Sequence, residues 1–67
     1  MKKKIMLRAF RAELSEDLAA GRFFSVLSAE QQQGVLNYVE RSRDVPEAAS
    51  RSATALERLR QGRIDFI

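Results

Sequence analysis

Phe23-Phe24-Ser25-Val26-Leu27-Ser28-Ala29-Glu30-Gln31 joins an apolar cluster to the start of a helix. Ser28 and Gln31 have the spacing of a capping box. The Ser28 hydroxyl can accept from the Gln31 backbone N–H, and the Gln31 side chain can reach back to the Ser28 N–H. Glu30 puts a negative charge in the first turn, where the helix dipole favours it. Leu27 stands just before the cap, and Phe24 and Leu27, three apart, share one helical face. Phe23, Phe24, Val26 and Leu27 are therefore expected in the core; an exposed docking patch is the competing reading.

Downstream of the cap, a helix is expected from about Ala29 to Arg43, with Val35, Leu36 and Val39 inward and Tyr38 at the flank. Gly34 lies inside it at a cost of about 1 kcal/mol relative to Ala. Close approach by another element would offset that cost, with Phe23–Phe24 the expected neighbour. Asp44-Val45-Pro46-Glu47 reads as a break and restart: Asp44 caps, Pro46 fits a first turn, and Glu47 completes a box-like spacing. The next helix is expected from about Pro46 to Gln61, with Gly62 as the residue that ends it. Its expected inner face is Ala49, Ala53 and Leu56, flanked by Ala48, Ser52 and Leu59. The short connection makes residues 28–61 an antiparallel helical hairpin. Ile64-Asp65-Phe66-Ile67 is apolar at alternate positions and is expected to fold back over the core. A free tail offered to a partner, or a strand pairing with Ile5–Ala9, are the alternatives.

Upstream, Met6, Phe10, Leu14 and Leu18 recur every four residues, as in a helical stripe. Ile5, Leu7 and Ala9 also alternate, as in a strand. Helix is the preferred reading, from about residue 5 or 6 to 20, ended by Gly21. Ser15-Glu16-Asp17 offers an alternative helix start. Arg22 to Leu27 then reads as a short helical turn.

Sixty-seven residues set one domain, residues 1–67, with a modest core. Hydrophobic residues make up 45 %, too many for a disordered chain. The charge is uneven. Residues 1–11 carry Lys2, Lys3, Lys4, Arg8 and Arg11 and no acid, while residues 12–67 are slightly acidic. The net +3 thus belongs to an N-terminal basic arm, or to the start of the first helix. No segment has the length or apolarity of a membrane span or a secretory signal, so the expected location is cytoplasmic. Attachment of residues 2–18 to a membrane surface is disfavoured, because Glu13, Glu16 and Asp17 would face anionic lipid.

The sequence contains no His and no Cys. The commonest general base, the thiol nucleophile and the usual zinc ligands are missing. The three glycines are isolated, so no phosphate-cradling loop is present. No catalytic, cofactor-binding or metal-binding residue is expected, and the chain is read as non-enzymatic. Two function classes remain. One is a protein-interaction module that associates with a partner or with itself, with Phe66 and Ile67 as partner contacts. The other is a nucleic-acid binder using Lys2, Lys3, Lys4, Arg8 and Arg11 of the arm with Arg51, Arg58 and Arg60 of the last helix. Against the second, the last helix opens Glu47-Ala48-Ala49-Ser50, with an acid where phosphates would lie.

Four segments between residues 14 and 63 resemble a known family. Leu14-Ser15-Glu16-Asp17-Leu18-Ala19-Ala20 is similar to its I/L-P-E-D-L segment, with Ser15 in place of the proline. Phe24-Ser25-Val26-Leu27-Ser28 resembles its F-x-x-L-S step. Asn37-Tyr38-Val39-Glu40-Arg41-Ser42-Arg43 resembles its Y-I-E-x-A-K helix. Leu56 to Arg63, with Leu59 and Gly62-Arg63, resembles its closing L-x-x-G-K/R. This is the C-terminal helical region of the bacteriocin-protection YdeI/OmdA (OmpD-associated) family. The chain departs from it in a shorter stretch between Leu18 and Phe24, and in a single Arg within Pro46–Arg51. The larger domain that usually precedes the region is not in this sequence. The resemblance implies a small bacterial accessory module without enzymatic activity, linked by family to protection against bacteriocins and antimicrobial peptides. It transfers no binding residues. The combined expectation is an all-α domain: a small three-helix bundle with a central hairpin and a basic N-terminal arm.

Overall fold

The computed structural model describes the backbone of residues 2–67 and the side chains of residues 7–67. The fold is all-α, with four helices rather than three: α1 Lys2–Glu16, α2 Leu18–Val26, α3 Ala29–Glu40 and α4 Val45–Arg60. Residues 5–13 are helical, which rules out the strand reading, and the basic segment is the first part of α1 rather than a separate arm.

The extra helix comes from Asp17. Its N–H still bonds back to the carbonyls of Glu13 and Leu14 at 3.1 and 3.3 Å. Its own backbone is extended, at φ −97° and ψ 102°, and its Oδ1 accepts the Ala20 N–H at 3.0 Å. The chain therefore ends one helix and caps the next on a single residue. Gly21, expected to terminate a helix, lies inside α2 instead. A Cβ there would sit 2.9 Å from the Leu14 carbonyl oxygen, so the bend that folds α2 against the end of α1 requires glycine. Leu18 is swung out of the Phe10–Leu14 stripe and is 72 % exposed. Residues 22–26 are the second half of α2, not an isolated turn. Phe23, Phe24 and Leu27 pack on the core as expected, whereas Val26 points to solvent at 76 % exposure.

The Ser28 cap forms as its sequence predicts. Ser28 Oγ accepts the Gln31 N–H at 3.1 Å, and Gln31 Oε1 accepts the Ser28 N–H at 3.0 Å. Gln32 then donates through Nε2 to the Phe24 carbonyl at 2.9 Å, tying α3 to the end of α2. Val35, Leu36 and Val39 are buried with Tyr38 at the edge. At the start of α4, Asp44 Oδ1 accepts the Glu47 N–H at 2.9 Å. The reciprocal bond goes one residue early: Glu47 Oε1 accepts the Arg43 N–H at 3.2 Å, not that of Asp44. Gly62, at φ +71°, ends α4. The Arg63 N–H reaches the Arg58 carbonyl at 2.9 Å and the Gly62 N–H reaches the Leu59 carbonyl at 3.0 Å, a Schellman pair.

The inner face of α4 is rotated by about one residue from its expected position. Ala48, Ser52, Ala55, Leu56 and Leu59 are buried, while Ala49 and Ala53 are exposed. Leu56 and Leu59 set the rotation. Burying both selects the 48–52–55–59 row, and alanines on either side cannot contest it. Phe10, Val35, Val39 and Leu59 are fully enclosed and form the centre of the core with Leu14, Ala20, Leu36, Ala55 and Leu56. The most extensive helix contact is α2 against α4, rather than α3 against α4.

The tail folds back. Ile64 and Phe66 pack on the core, and the Phe66 ring meets Tyr38 edge-on at 5.0 Å. Ile67, not the Phe23–Phe24 cluster, is the neighbour of Gly34: its Cδ1 would lie 3.1 Å from a Cβ at that position.

The two helical glycines should respond differently to alanine. At Gly34 the obstacle is the tip of a C-terminal side chain that can shift, so Gly34→Ala should realise much of the ~1 kcal/mol helix-propensity gain. At Gly21 the obstacle is backbone, so Gly21→Ala should destabilise despite its better propensity. Thermal melting followed by circular dichroism should show Tm held or raised for the first and lowered by roughly 4–8 °C or more for the second.

Candidate interaction surface

The three α4 arginines expected to meet a ligand are engaged within the fold. The Arg51 guanidinium lies 4.9 Å from the centre of the Tyr38 ring. Its Nη1 donates to the Tyr38 carbonyl at 2.9 Å, and its Nη2 stands 3.2 Å from Glu47. Arg51 over the Tyr38 ring, and Phe66 edge-on to it, thus join α4, α3 and the tail. Arg58 pairs with Asp65 at 3.0 Å, and Arg63 grips the other oxygen of the same carboxylate. Arg60 donates through Nε to Oδ2 of Asp17. Arg is suited to such planar pairing.

These partners favour the ionised form of two carboxylates. The Ala20 backbone N–H, followed by Arg60, holds the Asp17 carboxyl below its usual range against the opposing effect of desolvation. Arg63, followed by Arg58, does the same for Asp65.

Arg8 and Arg11 are exposed on α1 and have no ion pair among the described residues. The side chains of Lys2, Lys3 and Lys4, and of Met6 in the expected stripe, lie outside the described residues. The basic residues expected to act together are therefore divided. Arg51, Arg58 and Arg60 serve the fold, while Arg8 and Arg11 face solvent on another helix.

The expected partner contacts come together with one of those arginines. Gly34, Asn37, Tyr38, Arg41, Arg51, Phe66 and Ile67 line a groove of about 190 Å³. Phe66 forms part of its wall, and Ile67, 49 % exposed, is the apolar side chain most open to a visitor there. A second groove, of about 230 Å³, runs between α1 and α4 past Ala9, Glu13, Val45, Ala49 and Ala53. It was hidden in the sequence because Ala49 and Ala53 read as interior. Both volumes fall below the ~300–1,000 Å³ usual for small-molecule sites. Among the described residues, no helix is long and apolar enough to cross a membrane. No family model, curated protein or solved structure matches the chain.

The depressed carboxyls fix the sign of an acid response. Their folded pKa values lie below the unfolded value of about 3.9, so their contribution to stability is present above that pH and lost as pH falls through the folded values. Tm should therefore drop below about pH 4. The drop should be shallower in Asp17→Asn and Asp65→Asn, which start from a lower Tm at neutral pH.

Proposed function

We propose that the chain is a non-enzymatic helical interaction module of the bacterial cytoplasm, with the Phe66–Ile67 groove as a contact surface for a protein partner. The observation that carries this is the arrangement around the tail. An exposed apolar side chain, Ile67, sits over a glycine beside the Arg51–Tyr38–Phe66 cluster, with Arg41 at the edge. Aromatic and Arg side chains around an apolar anchor are the usual make-up of protein contact sites. Leu18, Val26 and Val45, each more than 60 % exposed, add apolar surface elsewhere on the helices.

The resemblance to the helical region of the YdeI/OmdA family supports an accessory role of this kind. The motif positions shared with that family carry caps: Asp17 starts α2, Ser28 starts α3 and Gly62 closes α4. Such positions preserve a scaffold without specifying a ligand, so a role in bacteriocin protection belongs to the proposal.

A second reading is non-specific nucleic-acid binding through α1. Arg8 and Arg11, both exposed and without an ion pair among the described residues, favour it; Arg51, Arg58 and Arg60 each have an acidic partner within the fold, with which a phosphate would compete. Phe10 is fully buried, so deleting residues 1–11 would remove core, and point substitutions are the cleaner probe.

Two measurements separate these readings. On the module reading, a duplex DNA probe of random sequence shows no salt-dependent rise in fluorescence anisotropy, and Ile67→Glu abolishes partner capture in a pull-down while Tm stays within a few degrees. Binding that weakens steeply with salt and is lost in Arg8→Ala/Arg11→Ala would favour the nucleic-acid reading.

A further inference from the structure

Gly34, Asn37, Tyr38 and Arg41 have the spacing of one helical face, and with Arg51, Phe66 and Ile67 they line the tail groove. Acceptors on these residues are spent within the fold. Asn37 Oδ1 accepts Gln33 Nε2 at 3.0 Å, and the Asn37 carbonyl accepts the Arg41 N–H at 2.9 Å. The Tyr38 carbonyl accepts Arg51 Nη1 at 2.9 Å. Donors are left over. Arg41 is exposed and has no ion pair among the described residues. The Asn37 amide, oriented by Gln33, keeps its N–H groups. No acid lines the groove, and the acids around it are engaged or face elsewhere. Glu47 stands between Arg51 at 3.2 Å and Arg43 at 3.8 Å. Asp44 caps α4, and Asp65 is held by Arg58 and Arg63. At 100° per residue, Glu40 lies about 110° round α3 from the centre of the groove face, and Glu30 shares that face but stands ~16 Å before Arg41 along the axis.

We infer that the partner of this groove is an acidic segment of another protein, which seats a carboxylate on Arg41 and Asn37 and lays a neighbouring apolar side chain on Ile67. Asn37 and Arg41 are four apart, hence adjacent on the helix surface. A guanidinium and an amide side by side offer N–H donors to both oxygens of a carboxylate. Ile67, 49 % exposed, supplies the apolar contact in the same lining, with Phe66 as wall. That combination of cation and apolar surface suits a polypeptide better than a sugar–phosphate backbone, which brings charge without an apolar neighbour. At about 190 Å³ the groove takes side chains of a docked segment rather than a whole small molecule. Exposed ion pairs are weak and screened by salt, so the association is a salt-sensitive one.

The inference names the chemistry of the partner and rests on the interaction-module reading. The probe is a short peptide carrying two glutamates and two leucines in a glycine–serine background, with glutamine and lysine versions beside it. Each is titrated at low salt into the full 15N-labelled chain, and backbone amide shifts are followed by NMR. The glutamate peptide should move Gly34, Asn37 and Arg41 and bind more tightly than the other two. Arg41→Gln should weaken it roughly tenfold with unchanged helical circular dichroism, since that side chain is exposed. Arg8→Gln/Arg11→Gln should leave it unchanged, which separates the groove from the overall positive charge. Arg41→Glu should turn the preference toward the lysine peptide. Binding lost in the Arg8/Arg11 variant but kept in Arg41→Gln would overturn the inference, as would an oligothymidylate that moves the groove amides more than the acidic peptide does. Equal binding of the glutamate and glutamine peptides that still requires Ile67 would sink the acidic partner alone and leave the contact surface standing. Groove amides unmoved by any peptide would also overturn it; if partner capture survives Ile67→Glu as well, the contact-surface reading falls with it.

Discussion

One carboxylate, that of Asp17, holds the bend on which the rest of the fold depends. Its Oδ1 caps α2 at Ala20, and its Oδ2 receives Arg60 from the far end of α4. In a straight helix at 100° per residue, the Phe10–Leu14 stripe would continue through Leu18, Gly21 and Ser25, and would leave Phe23 off the buried side. The bend removes Leu18 from the stripe and brings Phe23 and Phe24 onto the same core as Leu14. It also makes α2 the main neighbour of α4. Gly21 completes the arrangement, because α2 passes the Leu14 carbonyl too closely for any side chain.

What could be read from the sequence was what a few adjacent residues decide. The Ser28–Gln31 cap, the Asp44 cap, the Gly62 terminator and the Val35–Leu36–Val39 face are all short-range, and all are present. Asp17 was legible only as a charge beside Ser15 and Glu16. Its decisive partner, Arg60, is 43 residues away. Gly21 has the composition of a helix terminator, and only the packing of α2 on α1 shows why it sits inside one. The alanines of α4 failed for a different reason. Ala48, Ala49, Ala53 and Ala55 have nearly equal claims to burial, so periodicity cannot choose among them until Leu56 and Leu59 find their places. Gly34 was rightly read as a point of close approach, but the approaching group is the last residue of the chain.

The same distinction governs the candidate surfaces. Counted by type, the arginines of α4 look like a ligand-binding set. Counted by partner, Arg51 belongs to Tyr38 and Glu47, Arg58 and Arg63 to Asp65, and Arg60 to Asp17. Apart from the Arg51–Glu47 pair within α4, each of these contacts joins segments distant in sequence or fastens the tail. In a chain too small to bury a large core, such polar clasps at the ends of helices define where the helices sit. These four arginines of the C-terminal half therefore take part in the scaffold, and the Phe66–Ile67 side of the molecule lies beside one of these clasps.

Arg8 and Arg11 are set apart by that reasoning. Nothing in the core fixes their identity, because Phe10 and Leu14 already anchor α1 from the other side. A helix that had only to be soluble would be more stable with acids early and bases late, or with opposite charges four apart. The outer face of α1 does neither, and its like charges adjoin. Glu13 and Glu16 line the same groove as Asp17 and Arg60, so the acidic end of α1 stands against the clasp that holds the bend, and its charge is placed with respect to α4 rather than along its own helix.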